Sequence, residues 1–176
     1  VAIGAHGFSV LELRQGEGQA HEVFRENSRC SQGTGNFLRQ LVERFGLSVE
    51  EASALCEEVA DPAPLSGRCP VILKTDMTHL ANLGQTHARI LAGLYDAVAE
   101  NVQVLLKPQL APKDVWLFGG VTRSARIRAH FQRFAEKHGL RLQAYDEEQA
   151  LYADALGAAL LAAQDSPLSL PSQRSS

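Results

Sequence analysis

Strand-like and helix-like segments alternate along this chain, and that alternation constrains the fold more than any other feature of the sequence. Apolar residues in strand patterns predict strands in residues 1–13, 20–27, 114–120 and 140–145. Apolar residues at helical spacing predict helices in residues 36–45, 48–60, 85–106, 124–138 and 151–163. Such alternation is typical of an α/β layer structure, and no shift in composition indicates a second domain.

Several helix ends are marked by residues with known capping roles. Ser48 and Glu51 have the spacing of a capping box at the start of one helix, and Gly46 is the stop signal of the helix before it. We expect residues 68–84 to carry a short strand followed by a short helix. The tail, residues 164–176, is expected to be disordered because it is rich in serine and proline.

The overall composition narrows the class of protein. The 176 residues are 45% hydrophobic and 21% charged, which is typical of one globular domain with a sizeable core. A net charge of −3 gives no electrostatic footprint for nucleic acid or an anionic membrane. We therefore expect no nucleic-acid or membrane partner. We also predict neither a signal peptide nor a membrane span, which leads us to expect a cytoplasmic protein. Because the chain starts at Val1 within a predicted strand, we expect a piece of a longer protein.

Two glycine-containing stretches could bind an anion or a nucleotide. In residues 116–127, a strand leads to Gly119 and Gly120 and then to a helix start, whose N–H groups could hold a phosphate or ribose oxygen. Arg123 could lay its guanidinium over a purine, although a tight turn with a surface arginine fits the same pattern. SQGTG, residues 31–35, could wrap an anion or form a flexible helix entry, and it matches neither a P-loop nor a dinucleotide fingerprint.

The three cysteines, an odd number, do not suggest a disulfide framework, which makes metal binding or redox chemistry the expected use. Cys56 lies among small apolar residues of a predicted helix, which indicates a buried structural thiol. Cys30 and Cys69 are 39 residues apart, and neither belongs to a CxxC motif. Two thiolates cannot complete a zinc or iron–sulfur site, but two copies of the chain on a two-fold axis would supply four. Two unrelated thiols are the alternative.

The motifs occur together in one order, namely NSRCSQGTGNFL, LSGRCPV, ILAGLYDAVAENV, LFGGVTRSARI and ADALGAALLA. In that combination the chain resembles the ATPase activator family of 2-hydroxyacyl-CoA dehydratases and the ATPase subunits of benzoyl-CoA reductases. The resemblance implies an α/β fold, the ribonuclease H-like half of an actin-like ATPase, with a mixed sheet flanked by helices. It identifies residues 1–163 as the C-terminal part of an activator-type ATPase domain, without the upstream half that carries the first phosphate loop.

The same resemblance implies a function and its site residues. Family members are homodimers that share one [4Fe-4S] cluster, and their ATP turnover drives a low-potential electron into a partner dehydratase or reductase. The matching cluster ligands here are Cys30 and Cys69, in a homodimer or a tandem pseudo-dimer. The candidate residues for binding ATP or ADP with Mg²⁺ come from the two glycine stretches and are Gly33, Thr34, Gly35, Gly119, Gly120, Val121 and Arg123.

One motif departs from the family pattern. The family carries an Asp-Ile-Gly-Gly-Gln-Asp type motif in its opening strand, whereas residues 2–7 read AIGAHG, with no carboxylate to hold Mg²⁺ or orient water. His6 could supply a metal or phosphate contact instead, or be an ordinary turn histidine. This departure predicts weak or absent ATP hydrolysis, as in a degenerate regulatory unit that pairs in tandem with an intact one.

Two further functions fit parts of the sequence. A sugar-kinase-like phosphotransferase would use the Gly-Gly-Val-x-Arg loop but would leave the cysteines idle. A non-catalytic interaction domain would keep only the fold and the cluster. Iron and sulfide content separates the phosphotransferase from the other candidates, and ATP turnover separates an activator from an interaction domain.

Overall fold

A mixed β-sheet lies at the centre of the computed structural model, which describes residues 1–15, 20–27, 34–65, 69–143 and 146–165. The strands in these ranges are β1 (Ala2–Ile3), β2 (Phe8–Gln15), β3 (Ala20–Glu26), β4 (Asp114–Val115) and β5 (Arg141–Leu142). β1, β2 and β3 are antiparallel neighbours, whereas β4 and β5 pair in parallel.

β1 joins these two groups of strands into one sheet. Ala2 forms a parallel bridge with Phe118, three residues beyond the end of β4. Ile3 N–H donates to Phe118 O over 2.8 Å, and Phe118 N–H donates to Val1 O over the same distance. The resulting order is β3–β2–β1–β4–β5, so the predicted mixed sheet is confirmed. The strand predicted over residues 114–120 is regular only in β4, because residues 116–118 keep a single bridge to β1.

The described ranges contain six α-helices and two short 3-10 helices. The α-helices are α1 (Gly35–Val42), α2 (Val49–Cys56), α3 (Pro70–Asn82), α4 (His87–Gln103), α5 (Ala125–His138) and α6 (Glu147–Asp165). α4 supplies much of the core, including the fully buried Leu91 and Val98. The predicted capping box starts α2, where Ser48 Oγ accepts from Glu51 N–H over 3.2 Å and Glu51 Oε2 accepts from Ser48 N–H over 2.7 Å.

The short strand predicted at the start of residues 68–84 is wrong from Pro70 onward, where the chain is helical, and Cys69 is the extended N-cap of that helix. Pro70 opens α3 at a position where its missing N–H removes no helical hydrogen bond. Leu73 and Met77, four residues apart, are both buried, and that spacing places them on one helix face against the core. Packing of this face therefore decides the conformation of a segment whose composition alone resembles a strand.

α6 is longer and more exposed than the sequence predicts. It contains the helix predicted over residues 151–163, and Ala150 is the one buried residue among those whose burial the structure describes in α6. Leu156, Leu160 and Leu161 are at least half exposed, so the close packing expected for residues 153–162 is not found among the described residues. Residues 166–176, part of the predicted disordered tail, lie outside those ranges. No helix in the described part of the chain has the length and apolar character to cross a bilayer.

Alanine substitutions at two helical glycines should have opposite effects on stability. A Cβ on Gly93 of α4 would overlap the carbonyl oxygen of Ala63, whereas a Cβ on Gly157 of α6 would meet nothing within 4 Å. We expect Gly93→Ala to lower the free energy of unfolding by about 1–3 kcal/mol because the core is overpacked there. Gly157→Ala should raise it by about 0.5–1 kcal/mol through helix propensity. Urea unfolding of both variants measures the difference, and changes of equal sign would contradict this description of α4 packing.

Candidate functional site

The first predicted glycine stretch enters α1 beside the turn that follows β1. Gly35 N–H donates to Gly4 O and Asn36 N–H donates to Ala5 O, both over 2.9 Å. Thr34 is buried and caps α1, with its Oγ1 accepting from Phe37 N–H over 3.3 Å. These groups hold the helix start against the turn, and their contact with a nucleotide stays a prediction. Cys30 and Gly33 lie outside the described residues.

The second stretch forms a tightly packed connection between β4 and α5. Gly119 has φ +92° and ψ 161°, a conformation that is open essentially only to glycine. A Cβ at this position would overlap the carbonyl oxygen of Ile3 in β1. Gly119 N–H donates to Ala150 O of α6 over 2.8 Å. The close backbone approach that Gly119 permits is therefore to β1 of the same protein, whereas Gly120 is exposed. Contact of either glycine with a nucleotide stays a prediction.

The structure brings the two stretches into contact. A Cβ on Gly35 would lie 3.3 Å from Val121 Cγ2 and 3.3 Å from Ala5 Cα. Val121 belongs to the short 3-10 helix Gly120–Arg123, which ends where Ser124 caps α5. The turn after β1, the start of α1 and the glycine pair therefore meet at one end of the sheet. Such convergence of loops at strand ends is where ligands bind in open α/β sheets.

A cleft of about 350 Å³ opens between α2 and Gly120, the second residue of the glycine pair. One wall is α2, and the opposite wall is the 3-10 helix with the first turn of α5. Its lining includes the polar residues Glu50, Ser53, Glu57, Tyr95, Arg123, Ser124 and Arg128. Ser53 Oγ donates to Ser124 Oγ over 2.8 Å and so connects the two walls. A cleft of this size suits a nucleoside-sized ligand.

The charges in this cleft are divided between its walls. Glu50 of α2 and Glu57, the C-cap of α2, contribute carboxylates that can accept hydrogen bonds from ribose hydroxyls. The opposite wall contributes the guanidinium groups of Arg123 and Arg128, which can stack on a purine or bind phosphate. Arg128 Nη1 donates to Arg123 O over 2.7 Å, which fixes its position beside the 3-10 helix.

The contribution of α2 to the cleft is absent from the residues predicted for nucleotide binding. Glu50, Ser53 and Glu57 are three and four residues apart, a spacing that places polar side chains on one helix face. That spacing was a usable signal, but it does not tell a ligand-facing side from a solvent-facing one. Only the packing of α2 opposite the glycine pair makes the distinction.

The two described cysteines have different environments. Cys69 is exposed and forms the N-cap of α3. Cys56 is fully buried and its Sγ donates to Ser53 O over 3.5 Å. Burial raises the pKa of the Cys56 thiol to about 12, and the predicted burial of Cys56 is confirmed. Among the described residues no group of three or more His, Cys, Asp or Glu side chains could hold a metal. His6 is exposed in the turn after β1.

Comparisons with known proteins identify the family of the chain. Residues 1–162 match the model of the BadF/BadG/BcrA/BcrD ATPase family. The chain is 28% identical over 160 residues to one of the subunits of benzoyl-CoA reductase from Thauera aromatica, covering 90% of this chain and 56% of that protein. It is 29% identical over 104 residues to the activator of lactoyl-CoA dehydratase of Anaerotignum propionicum, covering 59% of this chain and 40% of the activator.

A solved structure supports the same relationship. The activator of the 2-hydroxyisocaproyl-CoA dehydratase from Clostridium difficile, with bound ADPNP, superposes with a TM-score of 0.79 and 26% identity. The superposition covers 93% of this chain and 59% of the activator. The predicted fold, the ribonuclease H-like half of an actin-like ATPase, is thereby confirmed. The chain spans less than two thirds of the length of each of these relatives.

Proposed function

Because this chain belongs to the BadF/BadG/BcrA/BcrD ATPase family, we propose that it is the nucleotide-binding and cluster-binding part of an ATPase activator. The activator would couple ATP to the transfer of a low-potential electron into a dehydratase or reductase that acts on a CoA ester. The names of the relatives support this class of partner. The single observation that carries the proposal is the cleft between α2 and the glycine pair, at the loop that the family resemblance assigns to adenosine.

The nucleotide would be held by both walls of that cleft. Gly120 and Arg123 would contact the adenosine, and the carboxylates of Glu50 and Glu57 would accept from its ribose hydroxyls. The ADPNP bound to the Clostridium difficile activator supports a nucleotide as the ligand. Gly35 lies beside Val121 at the same end of the sheet, which supports the assignment of Gly35 and its neighbour Thr34 to the nucleotide site.

The cluster would be held by Cys30 and Cys69 of two chains or two tandem units. Cys69 fits a thiolate ligand, because it is exposed and stands at the start of a 13-residue helix. A [4Fe-4S] cluster, when bound, supplies one-electron chemistry whose potential depends on exposure and on hydrogen bonds to sulfur. The positive end of α3 would stabilise the negative charge of the thiolate. A shift of α3 would change the exposure of Cys69, which offers a link between nucleotide state and redox potential.

A degenerate, non-hydrolysing unit is the second candidate, and one observation favours it. The turn over residues 4–7 contains no carboxylate, and the carbonyl oxygens of Gly4 and Ala5 accept from the start of α1. Mg²⁺ binding and water activation at this turn would therefore need a side chain from elsewhere. Such a unit would bind ATP and share a cluster with an intact partner unit.

Anaerobic purification followed by iron, sulfide and mass measurements tests the proposal, with ADP calorimetry and an ATPase assay on the same sample. About four irons and four sulfides per dimer, with ADP binding and ATP turnover, are the result expected of an activator. Iron and ADP binding without turnover would favour the degenerate unit. Nucleotide binding by an iron-free monomer would overturn the cluster assignment, and iron without nucleotide binding would overturn the role of the cleft.

A further inference from the structure

One buried arginine behind the cleft links the three helices around it. Arg126, the second residue of α5, is only 7% exposed. Its Nε donates to Ala92 O over 3.2 Å and to Asp96 Oδ1 over 2.8 Å, and its Nη2 donates to Asp96 Oδ2 over 2.7 Å. Its Nη1 donates to the carbonyl oxygens of Cys56 and Val59, each over 2.9 Å. Arg126 therefore joins α5 to α4 and to the C-terminal end of α2.

The position of α2 depends on contacts of this kind. With eight residues, α2 is too short to be stable in isolation, and its last turn has no basic residue to interact with its terminal carbonyl groups. Arg126 supplies that positive charge from α5. At the other end of α2, Tyr95 Oη donates to Val49 O over 2.8 Å, and burial raises the pKa of Tyr95, which keeps its hydroxyl protonated. Side chains from α4 and α5 thus hold both ends of this cleft wall.

We propose that Arg126 is a positioning residue of the cleft, which sets the distance between the α2 wall and the glycine-pair wall. This inference rests on the proposed binding of a nucleotide in the cleft. Ser124, the N-cap of α5, and Arg128, in the first turns of α5, line the cleft. Arg126 lies between them in the sequence but contacts α4 and the end of α2. A change in its hydrogen bonds would therefore move Glu50, Ser53 and Glu57 as a unit relative to Gly120. Displacements of about 1 Å are enough to weaken a polar binding site.

Two single substitutions separate positioning from stability. Arg126→Lys keeps a positive charge that can reach Asp96. The lysine ammonium, however, lacks the planar guanidinium geometry that lets Arg126 donate to the carbonyl groups of Cys56 and Val59 at the same time. Asp96→Asn weakens the ion pair and leaves the hydrogen bonds from Arg126 to the carbonyl groups of Cys56 and Val59 in place. We expect ADP to bind Arg126→Lys about tenfold more weakly than wild type and to bind Asp96→Asn within about twofold of wild type. Thermal unfolding should show a loss of stability in both variants.

The measurement is calorimetry with ADP on the 176-residue chain, at a temperature where circular dichroism shows each variant folded. If Arg126→Lys bound ADP with wild-type affinity, the positioning role would be overturned. It would also be overturned if ADP affinity fell in proportion to the loss of stability in both variants. Neither result would affect the proposed function. Absence of ADP binding to wild type would instead overturn the proposed function. Should Arg126→Lys not fold, Arg126→Met combined with Asp96→Leu removes both charges together, which cores often tolerate. This double variant should also bind ADP about tenfold more weakly, and wild-type affinity there would contradict the inference.

Discussion

Gly119→Ala is expected to lower the free energy of unfolding by roughly 3–5 kcal/mol and to abolish ADP binding. The substitution forces an alanine into φ +92° and ψ 161°, and its Cβ would overlap the carbonyl oxygen of Ile3. Relief of that overlap must separate β1 from residues 116–118, because the neighbouring atoms are backbone and cannot rotate away. The hydrogen bond from Ile3 N–H to Phe118 O would be lost with it. Urea unfolding and ADP calorimetry provide the two measurements.

Gly120→Ala is the matched control for this prediction. Gly120 has an ordinary backbone conformation, and a Cβ there would meet only Leu151 Cδ1, at 3.7 Å. We expect its free energy of unfolding to stay within about 0.5 kcal/mol of wild type. Equal stability of the two variants would show that the glycine pair is not packed against β1 as described.

Cys69→Ser and Cys30→Ser are each expected to reduce the iron content from about four atoms per dimer to near zero. A serine hydroxyl is a harder ligand than a thiolate and stays protonated at neutral pH, so it replaces neither the charge nor the softness of the sulfur. Iron and sulfide assays, with the visible absorbance of anaerobically purified protein, measure the loss. Full iron content in either variant would remove that cysteine from the ligand set.

Cys56→Ser is the control for both cluster variants. Cys56 is fully buried in α2, and a serine hydroxyl can make the same hydrogen bond to Ser53 O. We expect full iron content and a loss of about 1 kcal/mol in stability, since a more polar atom is buried with its hydrogen bond satisfied. Loss of iron in a folded Cys56→Ser protein would contradict the assignment of the cluster to Cys30 and Cys69.

Local signals in the sequence determined much of the helical framework. Ser48 with Glu51 predicts the start of α2, and the capping box forms as expected. α5 begins after Ser124 and ends at the left-handed Gly139, and both signals are local in sequence. The α/β class was predicted from the alternation of strand-like and helix-like apolar patterns. The family was predicted from short motifs, each made of residues that are close together in the sequence. These features were predictable because each depends on hydrogen bonds and spacing within a few neighbouring residues.

The tertiary structure alone decided which residues meet. Whether residues after Cys69 formed a strand or α3 depended on the core contacts of Leu73 and Met77. The cleft depended on placing Ser53 of α2 against Ser124, 71 residues later in the chain. The requirement for glycine at position 119 came from β1, more than a hundred residues upstream. Contacts between residues so far apart in the sequence are determined by the packing of whole helices and strands, so no local pattern predicts them. Helix capping and apolar periodicity, in contrast, depend on neighbouring residues and can be recognised in the sequence.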